Sequence, residues 1–304
     1  MNTHDWDSQK PVILVTNDDG IGSPGLIAAV EAVRDLGYVV VAAPTEQQTA
    51  RGRSLVGDRN DHFHAIELPT AVDQGGDHGP IHAWHINASP ALVVRHALAV
   101  FFHDRYPDLV VSGINYGENL GNNIMISGTL GAAFQAAAQG VPALAVSRQT
   151  DIGHHFSYGE LDWNDATRVT RRWAERLVEL TFRGAYHPPE GRVPTDGSTA
   201  HPAAEVPFDV LKLDIPDPCP EGTEERITSL SQRHYFMSHL DNPTPDTPIR
   251  AATTHVDVDP AGLAGDDDIY AIAVDRVVSV TPLQMDSTAP LSPARDLLLG
   301  TSAR

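Results

Sequence analysis

The chain has 304 residues, 41% of them hydrophobic, so it is long enough to bury a sizeable core. It has 40 Asp and Glu residues against 21 Lys and Arg residues, and the resulting net charge of −19 argues against long nucleic acid as a partner. The single cysteine excludes an internal disulfide bond, and no apolar run approaches the roughly 20 residues that a membrane-spanning helix needs.

The first predicted element is a buried parallel strand at 12–15, which ends in a polar turn with two adjacent acids, Asp18 and Asp19. Ser23 followed by Pro24 predicts the start of a helix just after this turn. Ligands of open α/β sheets bind at the carboxyl ends of the strands. Two carboxylates there repel each other unless a positive charge lies between them, and Mg²⁺ and Mn²⁺ prefer such oxygen ligands. The turn therefore indicates a divalent metal site, the alternative being a polar turn with a capping Asp.

A second parallel strand is predicted at 39–43, and the polar loop 45–54 after it should lie at the same edge of the sheet as the two acids. This loop, which carries a hydroxyl at Thr49, is either a ligand-binding loop or an ordinary exposed connection. Residues 55–85 contain histidines without cysteine partners or the helical spacing of zinc proteases. We therefore interpret them as solvated or core-edge histidines rather than as a zinc site. They are His62, His64, His78, His82 and His85.

Two further polar segments follow predicted buried elements of the same sheet. The strand at 108–111 continues into the Gly-rich turn 112–121, where Asn115 offers a neutral oxygen ligand or an amide donor. Residues 127–129 precede a helix of small residues that ends at Gly140. Free N–H groups, two hydroxyls and the positive end of the helix dipole favour an anion site there. The alternative is simple capping of a tightly packed helix.

The remaining pattern predicts a helix at 91–102 with Ser89 as its N-cap, and an amphipathic helix at 162–182. We interpret the apolar positions of the second helix as core contacts: Trp163, Val169, Trp173, Leu177 and Leu180.

The rest of the chain is more irregular. Strands are predicted at 141–147, 208–215 and 277–281, an extended arm at 226–239, a surface insertion at 186–206 and a polar tail at 286–304. Residues 270–282 alternate in hydrophobicity, and Asp266, Asp267 and Asp268 form a charge run that is either solvated or tied to a neighbour.

The turns together resemble one known family. The blocks TNDDG at 16–20, APTEQQTARGRS at 43–54, SGINYGENLG at 112–121 and SGTLGAA at 127–133 are similar to those of the SurE family of metal-dependent 5′(3′)-nucleotidases, and VSVTPL at 278–283 resembles the end of its core. The resemblance implies a Rossmann-like α/β core with a mainly parallel sheet flanked by helices. It also implies a C-terminal β arm or hairpin exchanged between the subunits of a homo-oligomer, a dimer or tetramer.

The resemblance places the functional residues by position. It implies that one divalent cation, Mg²⁺ or Mn²⁺, is held by Asp18, Asp19 and Asn115, with Thr49 where the family pattern has Ser. Asn17, which precedes the acids as the pattern expects, and Asn115 are also implied to bind the phosphate or the substrate. Matches to the family's phosphate-binding segment are Ser127, Gly128 and Thr129.

The chain departs from the family pattern at two other places. Residues 88–92 read ASPAL where the family has a Gly-Thr-Pro-Ala-Asp segment, and 276–277 read Arg-Val where a Gly-aromatic pair is common. The first change affects a loop on the substrate side.

These observations lead to one functional hypothesis with open alternatives. We predict one domain at 11–285 in a cytoplasmic enzyme that hydrolyses nucleoside 5′-monophosphates, with 3′-monophosphates as further candidates. Asp18 or Asp19 would serve as general base or as nucleophile, and the sequence does not choose between these roles. The alternatives are a phosphatase of another small phosphate or short polyphosphate, and a nucleotide-binding protein without activity. The chain has no GxSxG elbow and no GxxxxGK[ST] loop, which argues against acyl transfer and against a P-loop ATPase.

Overall fold

The structure, a computed structural model, describes residues 6–7, 9–69, 81–154, 161–182 and 208–287. The predicted insertion at 186–206, His78 and most of the polar tail lie outside these ranges. The described ranges contain eleven strands: β1 Val12–Thr16, β2 Tyr38–Pro44, β3 His64–Ile66, β4 His82–Ile86, β5 Leu109–Tyr116, β6 Ala143–Arg148, β7 Val210–Ile215, β8 Glu225–Ile227, β9 Phe236–His239, β10 Thr253–Val256 and β11 Val278–Leu283. The α-helices are α1 Pro24–Val33, α2 Pro90–Phe101, α3 Gly128–Ala138, α4 Asn164–Phe182 and the single turn α5 Asp268–Tyr270.

Nine of these strands form one mixed sheet in the order β3-β4-β2-β1-β5-β6-β7-β11-β8. The six strands from β4 to β7 run parallel, β3 and β11 are antiparallel to their neighbours β4 and β7, and β8 is parallel to β11. The register pairs Thr16 at the end of β1 with Ser112 in β5. This arrangement confirms the predicted Rossmann-like α/β fold.

The central strands are buried on both faces because helices cover both sides of the sheet. Helices α1 and α4 pack on one face, where Leu26 and Val169 join its core. Helices α2 and α3 pack on the other face, with Val94 and Leu130 in a second core. The apolar runs of β1, β5 and β6 are entirely buried at their centres, as a doubly covered sheet requires.

The C-terminal part confirms the predicted hairpin and corrects one detail. Strands β9 and β10 pair antiparallel in a separate two-stranded sheet that is mostly exposed. The alternating residues before β11 are helical, because α5 continues as a π-helix over Ala271–Asp275. The prediction that Leu180 is a core residue was wrong, since this α4 side chain is 44% exposed.

Helices α1 and α2 begin where the sequence predicts, but their N-cap serines do not form the expected capping hydrogen bonds. Ser23 and Ser89 occupy the N-cap positions before Pro24 and Pro90, yet neither hydroxyl bonds its own helix. The Ser89 hydroxyl donates instead to the carbonyl oxygen of Ser54 at 2.5 Å, which ties α2 to the loop after β2. Within the ranges given above, no helix has the length and apolarity to cross a membrane.

Candidate metal and phosphate site

The turn after β1 is shaped by the side chain of Asn17. Its amide nitrogen donates to the carbonyl oxygen of Gly20 at 3.0 Å, and its amide oxygen accepts from the Gly20 N–H at 3.2 Å. Gly20 has a φ of +97° and lies so close to the loop after β2 that an added Cβ would be 3.0 Å from the carbonyl carbon of Glu46. Only glycine suits both conditions. Asn17 is fully buried, so its observed contribution is to hold the turn that presents the two acids.

Asp18 lies against the N-terminus of α3. Its Oδ1 accepts a hydrogen bond of 2.6 Å from the Thr129 hydroxyl, and both side chains are buried. An added Cβ on Gly128 would be 2.7 Å from the Asp18 carboxylate, so glycine permits this close approach. Ser127 caps the helix, because its side chain accepts from the Leu130 N–H at 3.2 Å. The structure thus brings the predicted segment 127–129 into direct contact with the first acid.

Asp19 points toward the adjacent strand and loop. Its Oδ2 accepts from the backbone N–H of Tyr116 at the end of β5, at 3.2 Å. Its Oδ1 accepts from the Gln47 side-chain amide, also at 3.2 Å. Both acids are therefore fixed by groups from three neighbouring elements, although only 4% of Asp18 and 2% of Asp19 are exposed.

Burying two adjacent carboxylates makes their ionisation costly. Desolvation raises the pKa of Asp18 to about 6, although hydrogen bonds from Thr129 and from the start of α3 oppose the shift. Desolvation, together with the negative charge of Asp18, raises the pKa of Asp19 to about 8. The hydrogen bonds described above come from neutral groups, which do not cancel two negative charges. A bound cation would do so, and the exclusively oxygen donor set fits a hard divalent ion.

The other two predicted ligands lie on the segments that flank the acids. The Asn115 side-chain nitrogen donates to the carbonyl oxygen of Gly117 at 2.7 Å, which leaves its amide oxygen as the potential ligand atom. Thr49 is exposed on the loop after β2, and its neighbour Gln48 donates its backbone N–H to the carbonyl oxygen of Asp18 at 2.6 Å. The fold therefore gathers the three segments that carry the four predicted ligands at the carboxyl edge of the sheet.

A buried ionic network, which was not predicted from the sequence, supports the Gly-rich turn after β5. Lys212 in β7 contacts Asp214 and lies 3.1 Å from Asp268, with all three side chains at most 1% exposed. The two carboxylates accept backbone N–H groups of the turn, from Asn119 at 2.8 Å and from Gly121 at 3.0 Å. The available signal was a Lys in an apolar strand with an Asp two residues later on the same face. Asp268 is thus tied to a neighbour rather than solvated.

Gln47 is a second site residue that the sequence did not indicate, since only the hydroxyl of Thr49 stood out in that loop. The rim of the site also carries two exposed apolar side chains immediately before Ser127: Met125 is 72% exposed and Ile126 is 57% exposed. The carbonyl oxygen of Ile126 accepts from the Gly52 N–H at 2.9 Å, so this rim is joined to the loop after β2.

The raised pKa values predict that the acid pair destabilises the protein when no metal is bound. A carboxyl whose pKa is higher in the folded state binds more protons folded than unfolded, so stability falls as the pH rises from about 4 to about 8. Asp19→Asn should therefore raise the melting temperature in EDTA at pH 8 by at least roughly 2–4 °C, the equivalent of about 1 kcal/mol. This gain should shrink toward pH 4, where the wild-type carboxyls are protonated.

Thermal unfolding of both proteins at pH 4.5, 6 and 8, with EDTA and with Mn²⁺, measures the effect; these set points run from below the Asp18 pKa of about 6 up to the Asp19 pKa of about 8. We expect Mn²⁺ to stabilise the wild type more than Asp19→Asn. A variant that melts at or below the wild-type temperature in EDTA at pH 8 would contradict the claim that the acid pair destabilises the metal-free protein.

Comparisons with known proteins indicate the family of the chain. The family model described as Survival protein SurE matches residues 13–237. The 5′-nucleotidase SurE of Methanocella arvoryzae is 35% identical over 283 residues, which cover 91% of this chain and 93% of that protein. The 5′-nucleotidase SurE of Thermococcus gammatolerans is 34% identical over 291 residues, which cover 91% of each chain.

A solved structure agrees at the level of the fold. The SurE protein from Aquifex aeolicus matches with a TM-score of 0.65 and 23% identity, over 95% of this chain and 100% of that one. The family model covers most of the sequence, and the alignments with the two relatives cover nearly the full length of both chains. The chain therefore belongs to the SurE family.

Proposed function

We propose that this protein is a metal-dependent phosphatase that hydrolyses nucleoside 5′-monophosphates to nucleoside and phosphate. The observation that carries the proposal is the buried pair Asp18 and Asp19, of which Asp18 lies against the N-terminus of α3. This arrangement provides a place for a cation directly beside a place for an anion, which phosphate-ester hydrolysis needs. The relatives named 5′-nucleotidase support the same substrate class.

The residues that would hold the cation are Asp18, Asp19, Asn115 and Thr49, and we propose Mg²⁺ or Mn²⁺ as the ion. When bound, such an ion neutralises charge on the phosphoryl group and increases the acidity of water. Thr49 supplies a hydroxyl in the same class as the Ser of the family pattern.

The chain's own groups orient and receive the substrate. Ser127, Gly128 and Thr129 place the positive end of the α3 dipole beside the acids, where phosphoryl oxygens would be stabilised. In the structure the Thr129 hydroxyl holds Asp18, so we assign Thr129 a positioning role as well. One carboxylate of the pair would take up a proton from the attacking group or attack phosphorus itself.

The exposed side chains of Met125 and Ile126 favour a nucleotide over an inorganic phosphate chain. An apolar surface next to the phosphate site suits the flat face of a base, whereas a polyphosphate has no apolar part to cover it. The chain's net charge of −19 also disfavours long polyanions.

Phosphate release from a panel of substrates tests the proposal. The panel contains 5′- and 3′-nucleoside monophosphates, a small non-nucleotide phosphate ester and a short polyphosphate, each with Mg²⁺, Mn²⁺ or EDTA. We expect metal-dependent release with the highest kcat/KM on a 5′-monophosphate. Equal or greater kcat/KM on the non-nucleotide ester or the polyphosphate would refute the nucleotide assignment.

We further propose a cytoplasmic homo-oligomer, a dimer or tetramer, associated through the hairpin of β9 and β10. The connection between these strands exposes 95% of Ile249, and Met237 and Leu240 are also exposed large apolar residues. A second subunit would cover such surface. Light scattering of the purified protein reports the subunit number directly, and a monomer at micromolar concentration would rule out this association.

A further inference from the structure

A second cluster of ligand side chains lies away from the acid pair, at the edge of the sheet where β3 begins. Asp61, His62 and His64 each present one ligand atom, and the three atoms lie within 4.8 Å of one another. Among the described residues this is the one group of at least three His, Cys, Asp or Glu side chains that meets this distance criterion.

The carboxylate of this cluster is held in place before any ion arrives. Its Oδ2 accepts from the Asn87 backbone N–H at 2.8 Å, just after β4. Its Oδ1 accepts from the His64 ring at 2.7 Å and from the His62 backbone N–H at 2.9 Å. These hydrogen bonds, of which the one from Asn87 has the largest effect, lower the pKa of Asp61 to about 2. The group is therefore a carboxylate throughout the physiological pH range.

The two histidines have the spacing of a chelating pair on an extended segment. Residues two apart in an extended chain project to the same side, and the ring centroids of His62 and His64 are 4.4 Å apart. The ring of His85 is stacked on that of His64, with their centroids 5.3 Å apart. His85 is itself held by a hydrogen bond of 2.9 Å between its Nδ1 and the Thr45 hydroxyl. The stacking contact limits the orientations that His64 can adopt.

The spacing of the ligand atoms fits one small ion after modest rotation of exposed side chains. Ligands at about 2.0–2.1 Å from a tetrahedral Zn²⁺ are separated by roughly 3.3 Å. The carboxylate and the His64 ring nitrogen are 2.7 Å apart and must separate slightly, whereas the widest pair must close from no more than 4.8 Å.

We propose that Asp61, His62 and His64 bind one divalent transition-metal ion of the Zn²⁺ class at a site distinct from the acid pair. Two imidazoles and one carboxylate favour such an ion over Mg²⁺, which prefers oxygen ligands alone. The bound ion would fasten the loop before β3 to the end of β4, because Asp61 is already bonded to Asn87. This site goes beyond the nucleotidase proposal and does not depend on it.

Calorimetric titration with Zn²⁺ in the presence of excess Mg²⁺ tests the proposal, since Mg²⁺ occupies the oxygen-only site. The test variant is His62→Gln with His64→Gln. The control is His239→Gln, which removes an exposed histidine that is paired with Asp241 at 3.0 Å and belongs to no such three-residue group among the described residues. We expect the double variant to lose one equivalent of Zn²⁺ or to bind it at least tenfold more weakly, and the control to bind like the wild type.

A second measurement on the same proteins uses Co²⁺ as a spectroscopic substitute. Wild type should show visible absorption bands of low-coordinate Co²⁺ that are absent from the double variant. Rates of phosphate release in Mg²⁺ should agree within about twofold among all three proteins, because no ligand of this site belongs to the proposed catalytic machinery. Zn²⁺ stoichiometry, affinity and Co²⁺ bands that are unchanged in the double variant would overturn the proposal.

Discussion

Asp18→Asn should reduce the rate of phosphate release by about 10²–10⁴-fold, the usual range for loss of a positioned acid-base group. Asparagine keeps the size of aspartate and one acceptor oxygen for the Thr129 hydroxyl, which bonds the carboxylate at 2.6 Å. The fold should therefore survive, while one negative charge toward the cation is lost. We expect kcat to fall and Mn²⁺ affinity to weaken together.

A matched substitution of an exposed acid provides the control. Asp58 is exposed and accepts a backbone N–H from Asn60 at 2.9 Å, a bond that asparagine can also accept. Asp58→Asn should keep wild-type kcat within about twofold. Steady-state phosphate release compares the kcat of the two variants with that of the wild type, and circular dichroism checks their folding. A folded Asp18→Asn protein within threefold of wild-type kcat would show that the pair is not catalytic.

Lys212→Met should destabilise the protein by about 3–5 kcal/mol, the typical loss when one partner of a buried ion pair is removed. The ammonium group lies between Asp214 and Asp268, and burial of all three side chains prevents water from replacing it. Desolvation already raises the pKa of Asp214, which the charge of Lys212 opposes. Without the lysine, two carboxyls must be buried without their cation. Urea unfolding followed by circular dichroism measures the loss.

Two further variants separate the network from a general effect of losing a lysine. Lys10→Met removes an exposed lysine and should change stability by no more than about 0.5 kcal/mol. Adding Asp268→Asn to Lys212→Met should recover part of the loss, because one of the two unpaired charges is removed. A Lys212→Met protein within about 1 kcal/mol of the wild type would instead show that the network contributes little net stability.

The sequence predicted the acid turn and its surroundings because the signals there are local. Asp18 and Asp19 directly follow an apolar strand, and a Ser-Gly-Thr segment directly precedes a helix of small residues. The rule that carboxyl ends of parallel strands meet at one edge then brings these segments together. The contact between Asp18 and Thr129, separated by 111 positions, follows from topology once the strands are placed.

The features that the sequence did not predict depend on distant partners. Lys212 and Asp268 are 56 positions apart, and nothing in the triple-Asp run indicates that its last member is fully buried. The alternation before β11 is a weak signal over so short a stretch, and burial of Ile269 and Ile272 in a local cluster favoured a helical turn there. The spacing of the histidines carries no recognised metal motif, whereas the loop geometry brings two of them together with an aspartate.

The most direct test of the central claim is the metal dependence of phosphate release from a nucleoside 5′-monophosphate. The protein is first stripped with EDTA, and Mg²⁺ or Mn²⁺ is then restored in excess. We predict no release above background in the stripped protein and recovery on addition of either ion or both. Release that continues at the full rate without metal, or no release with any metal from a folded protein that still binds the nucleotide, would contradict the account.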